Sequence, residues 1–152
     1  MSQAMSKNSV NNTMTQQELH HLITVSTGFI DAYIIDCYAK ESMLLPQNIV
    51  LSALDTPTQV SSVEWHDLHL PVYAVNDPQC KMGVALVIEG DDVTQRFALI
   101  CNEMPKTIRI RISEVVDEAR HSNDETVFQY VRMADQTFHI PNLAHIQNSL
   151  NV

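Results

Sequence analysis

The sequence predicts a mainly β protein, and two observations carry this prediction. Short runs rich in β-branched and aromatic residues alternate with turn signals, about one every 8–12 residues, over most of the 152-residue chain. Only one segment, near the C-terminus, has the apolar spacing of a short helix. Many short strands without a long helix favour a barrel or a sandwich. The proline-containing segments LLP (44–46) and LHLPV (68–72) are the clearest strand markers.

In the first half of the chain, each strand is bounded by polar residues or proline. The predicted elements are a strand over 33–39, a turn over 40–42, a strand over 43–46, a strand or a single helical turn over 47–54, a polar loop over 55–64, and a half-buried strand that begins near Trp65. In the last of these, apolar residues alternate at Leu68, Leu70 and Val72, which is the period of a strand with one buried face.

The second half contains the most secure local pattern, a hairpin. A buried-type strand over 82–89 and its partner over 95–102 flank the tight-turn sequence Gly90-Asp91-Asp92. The other predicted elements are a strand with one wet face over 107–112, a loop over 121–124, a hairpin of strands 127–133 and 137–140, and a C-terminal helix over 141–150. Leu143, Ile146 and Leu150 form one apolar face of that helix, and proline at its start suits a helix N-terminus.

Charge bears on the class of partner. Nine basic against eighteen acidic residues give a formal net charge of −9. This balance argues against a nucleic-acid partner, because phosphate binding requires clustered lysine and arginine. Arg109 and Arg111 are a local exception. Their i, i+2 spacing places both on one face of a strand, where a solvated face or salt bridges are the usual role of arginine.

The N-terminus and the hydropathy pattern bear on organisation and location. Residues 1–21 are rich in Asn, Ser, Thr and Gln, and we expect a disordered polar tail followed by one domain over 22–152. No apolar run approaches the roughly 20 residues that span a bilayer. We therefore expect no membrane insertion and a cytoplasmic location.

The sequence contains no motif for phosphate, metal or cofactor binding. Cys37 and Cys101 lie in apolar strand-like runs and Cys80 in a polar loop, without zinc-type spacing. We expect no cofactor, no metal site and no enzymatic activity. An enzyme that uses Cys101 or Cys80 is a less favoured hypothesis. The single tryptophan, Trp65, is equally compatible with an interface anchor and with a core position.

Four segments form a recognisable series: MLLPQNIVLSAL (43–54), EWHDLHLPVYAV (64–75), QRFALICNEMPKTIRI (95–110) and FHIPNLAHIQNSL (138–150). In order and spacing they resemble the CheW-like domain family, the coupling proteins of bacterial chemosensory arrays. The likeness is greater to the shorter, divergent ChpC-type relatives in twitching-motility systems than to the standard coupling protein. The similarity covers roughly residues 33–150.

The resemblance implies two intertwined five-stranded SH3-like barrels with a short C-terminal helix across them. It also implies a non-catalytic adaptor that docks to a CheA-type histidine kinase, to the cytoplasmic tip of a chemoreceptor, or to both. In the family the receptor-facing groove lies between the barrels. The residues that match the family's contact positions, with Trp65 and Ile110 added, give the predicted partner-binding set: Val50, Ser52, Trp65, His66, Asn102, Met104, Ile108 and Ile110.

The sequence departs from the family pattern beside its strand markers. His66-Asp67 stands where the family usually has Arg-Gly, and Ser52 where an acidic residue is common. Loss of the arginine removes a bidentate donor, so the standard receptor contact is not expected to be retained. A small-molecule-binding β-barrel, suggested by the abundance of methionine and other apolar residues, is the alternative function.

Overall fold

The computed structural model describes residues 28–120 and 123–150. The elements in this part of the chain are β1 (Phe29–Ile35), β2 (Met43–Pro46), β3 (Val50–Pro57), β4 (Ser62–Trp65), β5 (Leu68–Ala74), β6 (Met82–Ile88), β7 (Phe97–Cys101), β8 (Lys106–Arg111), β9 (Val116–Glu118), β10 (Val127–Met133), β11 (Gln136–Pro141) and helix α1 (Leu143–Leu150), with 3-10 turns at Gln47–Ile49, Val93–Gln95 and Ile112–Glu114. The mainly β prediction is confirmed. The predicted polar tail, residues 1–21, lies outside the described residues, as do His121 and Ser122 of the predicted loop.

The strands form two sheets. One has six strands in the order β8-β1-β2-β11-β10-β9, and the other has five in the order β3-β6-β7-β5-β4. The predicted pairings of β6 with β7 and of β10 with β11 are both present and antiparallel. Two pairings join strands that are distant in sequence and parallel, β5 with β7 and β2 with β11. No helix among the described residues is both long and apolar enough to cross a bilayer.

Several predicted boundaries were wrong, and the largest error concerns residues 55–64. Most of this stretch is strand, because β3 continues to Pro57 and β4 begins at Ser62. Both strands are sheet edges, so many of their side chains contact water and the sequence reads as polar. Trp65 ends β4 instead of starting the next strand. The segment 47–54 contains both predicted alternatives, a 3-10 turn followed by the start of β3.

Three smaller predictions also need correction. β1 spans Phe29–Ile35, so it begins and ends about four residues earlier than predicted, and the backbone at Ala39 has a φ of 61°. The β6–β7 connection is not a tight turn, since residues 89–96 include a 3-10 turn capped by Asp92. Pro141 ends β11, and the side chain of Asn142 accepts a hydrogen bond from the His145 backbone at 3.1 Å, at the start of α1.

The six-stranded sheet must curl. Its edge strands are β8 and β9, yet only residues 112–115 separate them along the chain. A flat sheet of six strands would hold its edges about 24 Å apart, whereas the segment from Arg111 to Val116 reaches about 18 Å at most. The two edges of this sheet therefore approach each other.

The five-stranded sheet curls as well, as its packing shows. Leu54 of edge strand β3 and Trp65 of edge strand β4 pack against the same buried cluster. That cluster lies on one face of the central strands β6 and β7, where Ala85 and Ile100 are fully buried. Side chains from both edges therefore fold over the same face of the central strands.

The buried apolar side chains form three clusters. The shared cluster joins both sheets and α1, through residues that include Leu45, Leu86, Leu99 and Ile146. A second cluster belongs to the five-stranded sheet alone. A third cluster belongs to the six-stranded sheet and includes Ile110 and Phe138. As predicted, Leu143, Ile146 and Leu150 form the face of α1 that packs on the shared cluster.

Gly83 marks a close approach of two backbones within the five-stranded sheet. A Cβ atom at this position would lie far inside van der Waals contact with the carbonyl oxygen of Cys101, and 3.0 Å from Cγ2 of Thr58. The carbonyl belongs to the paired strand β7, so it cannot move aside without disturbing the sheet.

We expect Gly83→Ala to lower the free energy of unfolding by about 1–3 kcal/mol, as overpacking in a well-packed core does. Urea denaturation followed by circular dichroism measures this change. Ser62→Ala, at an exposed edge position, is the control and should stay within about 0.5 kcal/mol of the parent protein. Equal stability of the two variants would contradict the close approach.

His139 is a buried histidine, only 1% exposed, in β11. Its Nδ1 lies 2.9 Å from the carbonyl oxygen of Glu41, which can only accept, so Nδ1 carries the proton of the neutral ring. Burial is the main cause that lowers the pKa of His139, and the charge of Lys40 adds to it. The ring is therefore held neutral in the folded protein.

This histidine makes stability depend on pH in a defined direction. The unfolded chain takes up the His139 proton near the ordinary histidine pKa of 6.5, and the folded protein takes it up only at lower pH. The contribution of His139 to the free energy of unfolding is thus fully present above about pH 6.5. It is lost as the pH falls through the pKa of His139 in the folded protein. For one proton the slope is at most about 1.4 kcal/mol per pH unit.

We expect His139→Asn, whose amide can donate to the same carbonyl, to reduce this slope between about pH 7 and pH 5. The free energy of unfolding, measured by urea titration at each pH, gives the slopes of the parent protein and the variant. The parent protein and the variant differ only at position 139, so a difference between the two slopes belongs to that residue. An unchanged slope would show that His139 does not titrate differently on folding.

Candidate functional site

A groove lies where the two sheets meet. It has a volume of about 440 Å³, and one wall is the segment after β1, with Cys37, Tyr38 and Lys40. The other wall comes from the five-stranded sheet and its loops, with Thr58, Gln59, Tyr73, Ala74, Val75, Asn76 and Pro78. The backbone N–H of Tyr38 donates to the carbonyl of Val75 at 2.9 Å, which ties the two walls together.

The groove combines aromatic, cationic and amide side chains. The side chain of Tyr38 is 57% exposed, whereas Tyr73 is half-buried and packs against the shared cluster. Lys40 lies at the edge, with its Nζ 3.0 Å from Oδ2 of Asp124. An aromatic pair beside a cation is suited to apolar and hydrogen-bonding contacts with a partner.

The Lys40–Asp124 pair fixes the charge on this side of the groove. Asp124 accepts hydrogen bonds from the side chain and the backbone of Thr126, and these together with Lys40 lower its pKa to about 2. The hydrogen bond to Asp124 in turn raises the pKa of Lys40 despite partial burial. Both groups stay charged throughout the physiological range.

Asn102, a residue of the predicted partner-binding set, supports the floor of the groove. Its Oδ1 accepts a hydrogen bond from the backbone N–H of Asp77 at 2.7 Å. The thiol of Cys80 donates to the carbonyl of Met82 at 3.0 Å and lies 3.8 Å from the carbonyl of Asn102. The loop that carries Asn76 and Pro78 is thereby held against the end of β7.

A second group of predicted residues lies at the opposite end of the five-stranded sheet. Trp65 packs against the cluster of that sheet on one side, and on the other the guanidinium of Arg96 lies 5.6 Å from its ring centroid. Arg96 donates to Glu89 at 2.8 Å, and this hydrogen bond lowers the pKa of Glu89. Trp65 therefore has both a core side and a surface side, and its role as an interface anchor stays a prediction.

The Glu89 backbone connects this end to other elements. Its N–H donates to the carbonyl of Ile49 at 2.9 Å, next to Val50, and its carbonyl accepts from the side chain of Gln147 in α1 at 3.3 Å. Trp65, Arg96, Glu89 and the start of β3 consequently form one surface, which we call the tryptophan end.

The turn that follows Trp65 is conformationally strained. His66 and Asp67 both adopt the left-handed backbone region, with φ of 51° and 64°. A two-residue hairpin loop requires this geometry, for which glycine or asparagine is usual. The predicted strand that begins near Trp65 would include His66, which is wrong: His66 lies in the turn, with its ring centroid 4.2 Å from that of Trp65, and His69 lies in β5.

The structure divides the predicted partner-binding set into separate groups. Val50, Ser52, Trp65 and His66 lie at or near the tryptophan end, whereas Asn102 and Met104 follow the other end of β7. Measured along the strand direction, the positions of Val50 and Asn102 differ by five residues, which is about 17 Å. Ile108 is half-buried, and Ile110 is only 6% exposed in the cluster of the six-stranded sheet, so its side chain does not reach the surface.

The sequence analysis missed the groove residues themselves. Tyr38, Lys40 and Tyr73 were assigned only to a strand or a turn. No local signal could indicate that Tyr38 lies beside Val75, because the contact joins residues 37 positions apart. Arg96 was likewise missed as the residue that stacks on Trp65.

Cys37 and Cys101 stay protonated at neutral pH. Burial raises the pKa of Cys37 and of Cys101 to about 11. The thiol of Cys101 donates to the carbonyl of Glu103 at 3.2 Å within the shared cluster. Within residues 28–120 and 123–150, no three His, Cys, Asp or Glu side chains come together in a way that could hold a metal ion.

Comparison with protein-family models and with curated proteins finds no match to this chain.

The raised thiol pKa values lead to a labelling prediction. At about pH 8 only about one thiol in a thousand is ionised when its pKa is about 11, and alkylation requires the thiolate. We expect iodoacetamide to label Cys37 and Cys101 at least tenfold more slowly in the folded protein than in concentrated urea. Peptide mass spectrometry resolves each site. Equal rates in both conditions would show that a thiolate is available in the fold.

Proposed function

We propose that this protein is a non-catalytic adaptor that couples chemoreceptors to a CheA-type histidine kinase in a cytoplasmic chemotaxis or twitching-motility array. The observation that carries the proposal is the groove between the two curled sheets, each of which has an apolar cluster of its own. The CheW-like resemblance implies two barrels with a partner-facing groove between them, and the groove lined by Tyr38 and Tyr73 supports the proposal because its walls come from both sheets.

The layout of the sheets supports two SH3-like barrels. The edges of each sheet approach each other, and each sheet has a buried cluster separate from the shared one. The chain passes from the six-stranded sheet to the five-stranded sheet after β2, and returns after β7. Strands β1 and β2 therefore share a sheet with β8–β11, and this return of the chain supports an intertwined arrangement.

The groove and Met104 form the receptor- or kinase-facing surface in this proposal. Met104 is 48% exposed and follows Asn102, which holds the groove floor. Methionine adapts its shape to a partner surface at low cost, and exposed tyrosine supplies a rigid contact. Ile108 packs partly against the cluster of its sheet and Ile110 is buried, so we assign them to the scaffold and not to the contact surface.

The alternative, a small-molecule-binding barrel, retains one supporting observation. The groove volume of about 440 Å³ is within the range of small-molecule sites, about 300–1,000 Å³. A ligand in the groove would contact Tyr38 and Tyr73, and Met104 would then be dispensable. The two functions therefore differ in their dependence on Met104.

The test is binding of the purified chain to the regulatory domain of the array kinase and to the receptor cytoplasmic tip from the same organism, measured by biolayer interferometry. We expect Met104→Glu to weaken at least one of these complexes by about tenfold or more, since it places a charge in an apolar contact. The control is Val116→Glu, which changes a side chain of similar exposure, 51%, on β9.

Circular dichroism of both variants checks that the fold is retained. No binding of the parent protein to either partner would overturn the adaptor proposal. Binding that is equally sensitive to Val116→Glu would move the contact surface away from the groove.

A further inference from the structure

β8 and the adjoining end of β1 form a cationic strip on an acidic protein. Three of the nine basic residues of the chain, Lys106, Arg109 and Arg111, lie within the six residues of β8, and all three are exposed. The rest of the chain has six basic against eighteen acidic residues. This strip is therefore a local reversal of the overall charge, and it lies apart from the groove lining.

An exposed phenylalanine belongs to the same strip. Phe29 is 56% exposed and is directly opposite Arg111 in the β1–β8 register. The guanidinium carbons of Arg111 and Arg109 lie 5.1 and 6.0 Å from the centroid of its ring. Two arginines over one aromatic ring give a partly preorganised surface, and arginine and aromatic residues are the types enriched at protein interfaces.

The charges of the strip are only partly compensated. Arg109 is paired with Asp31 at 3.1 Å. Within the described residues, the one ion-pair partner of Arg111 is Glu114 at 4.0 Å, and both side chains are more than half exposed. Lys106 forms no ion pair with any described residue. Lys106 and Arg111 therefore carry positive charge that a partner can use.

The backbone of β8 adds a second means of recognition. β8 is an edge of the six-stranded sheet and pairs only with β1 among the described residues; the curl of the sheet does not bring it into hydrogen-bonded pairing with β9, the other edge. The free edge of a strand presents N–H and C=O groups that can pair with an added strand. Successive side chains of β8 point to opposite faces, so Arg109 and Arg111 flank one side of the edge and Lys106 the other.

We propose that β8 is a docking strand for an acidic, extended segment of a partner protein, which pairs with the free edge and places carboxylates beside Arg111 and Lys106. Charge complementarity selects this occupant over a second β8, because two copies would bring like charges together. Residues 1–27 of the chain contain a single acidic residue, Glu18, and are poorly matched to the strip. Three cations on a chain of net charge −9 are too few for a nucleic-acid site.

The experiment uses the full chain and a fluorescent heptapeptide, Glu-Glu-Thr-Val-Thr-Glu-Glu with blocked ends, in fluorescence anisotropy. In an extended conformation this peptide has carboxylates on both faces and at both ends, as the positions of Lys106 and Arg111 require. We expect saturable binding that weakens at least tenfold between about 50 mM and about 200 mM salt. Three comparison probes are the same peptide with lysine for glutamate, the same peptide with every backbone amide N-methylated, and an oligothymidylate of similar charge. The N-methyl peptide keeps the charge but has no backbone N–H to donate to the carbonyls of β8, so it cannot form the strand ladder.

The variants separate the strip from general electrostatics. We expect the double variant Lys106→Gln/Arg111→Gln to weaken binding at least tenfold, and Phe29→Ala to weaken it about threefold or more. The matched control Lys81→Gln/Arg132→Gln removes the same charge from two other exposed positions and should have little effect. Circular dichroism confirms that each variant is folded.

Four outcomes would overturn the proposal. Equal loss of binding in the control double variant would assign binding to net charge alone. Undiminished binding of the N-methyl peptide would exclude strand addition, and tighter binding of the oligothymidylate would make the strip a polyanion site. A dimer in light scattering that becomes monomeric in Lys106→Gln/Arg111→Gln would show that a second copy is the occupant. None of these outcomes depends on the kinase or on the receptor, so the adaptor proposal is tested separately.

Discussion

The structure depends on two strands, β6 and β7, that are buried on both faces. Along β6, Val84, Leu86 and Ile88 pack into the shared cluster, while Ala85 and Val87 pack into the cluster of the five-stranded sheet. β7 has the same division. These strands therefore belong to two hydrophobic cores at once, and the apolar runs in the sequence are continuous for that reason. Displacing them would expose both cores.

The close approach at Gly83 and the helix α1 are consequences of that arrangement. β6 and β7 pair so tightly near Gly83 that no Cβ atom fits against the Cys101 carbonyl. At the other end, α1 covers the shared cluster with Ile146 and ties the β6–β7 connection through Gln147 and Glu89. The groove and the tryptophan end are thus held at the two ends of the same buried strands, about one strand length apart.

The candidate surfaces differ in how they are held, and this affects what they can do. The groove spans the two sheets, and its walls are joined by the Tyr38–Val75 backbone hydrogen bond and by the Lys40–Asp124 ion pair at its edge. A partner in the groove would contact both sheets, so its binding would depend on their relative position. The cationic strip on β8 belongs to one sheet alone, so a segment bound there would anchor the protein without bridging the sheets.

Local pattern in the sequence determined which segments are strands and which faces they bury. The alternation in Thr107–Arg111 predicted one wet face, and the run from Met82 to Ile88 predicted a buried strand, because side-chain period reflects burial directly. The apolar face of α1 was predicted for the same reason. At the edges this signal failed: residues 55–57 and 62–65 are strands whose outward side chains are polar.

Only the tertiary structure decided which strands are neighbours, and therefore where any site lies. A strand's period says which face is buried but not which strand pairs with it, and the parallel pairs β5–β7 and β2–β11 join distant segments. For that reason the sequence predicted Asn102 and Trp65 as partner-binding residues. It did not indicate Tyr38 and Tyr73, which line the groove, or Arg96, which lies over Trp65. It also could not separate Ile110, which is buried, from Phe29 and Arg111, which the fold brings together at an exposed edge.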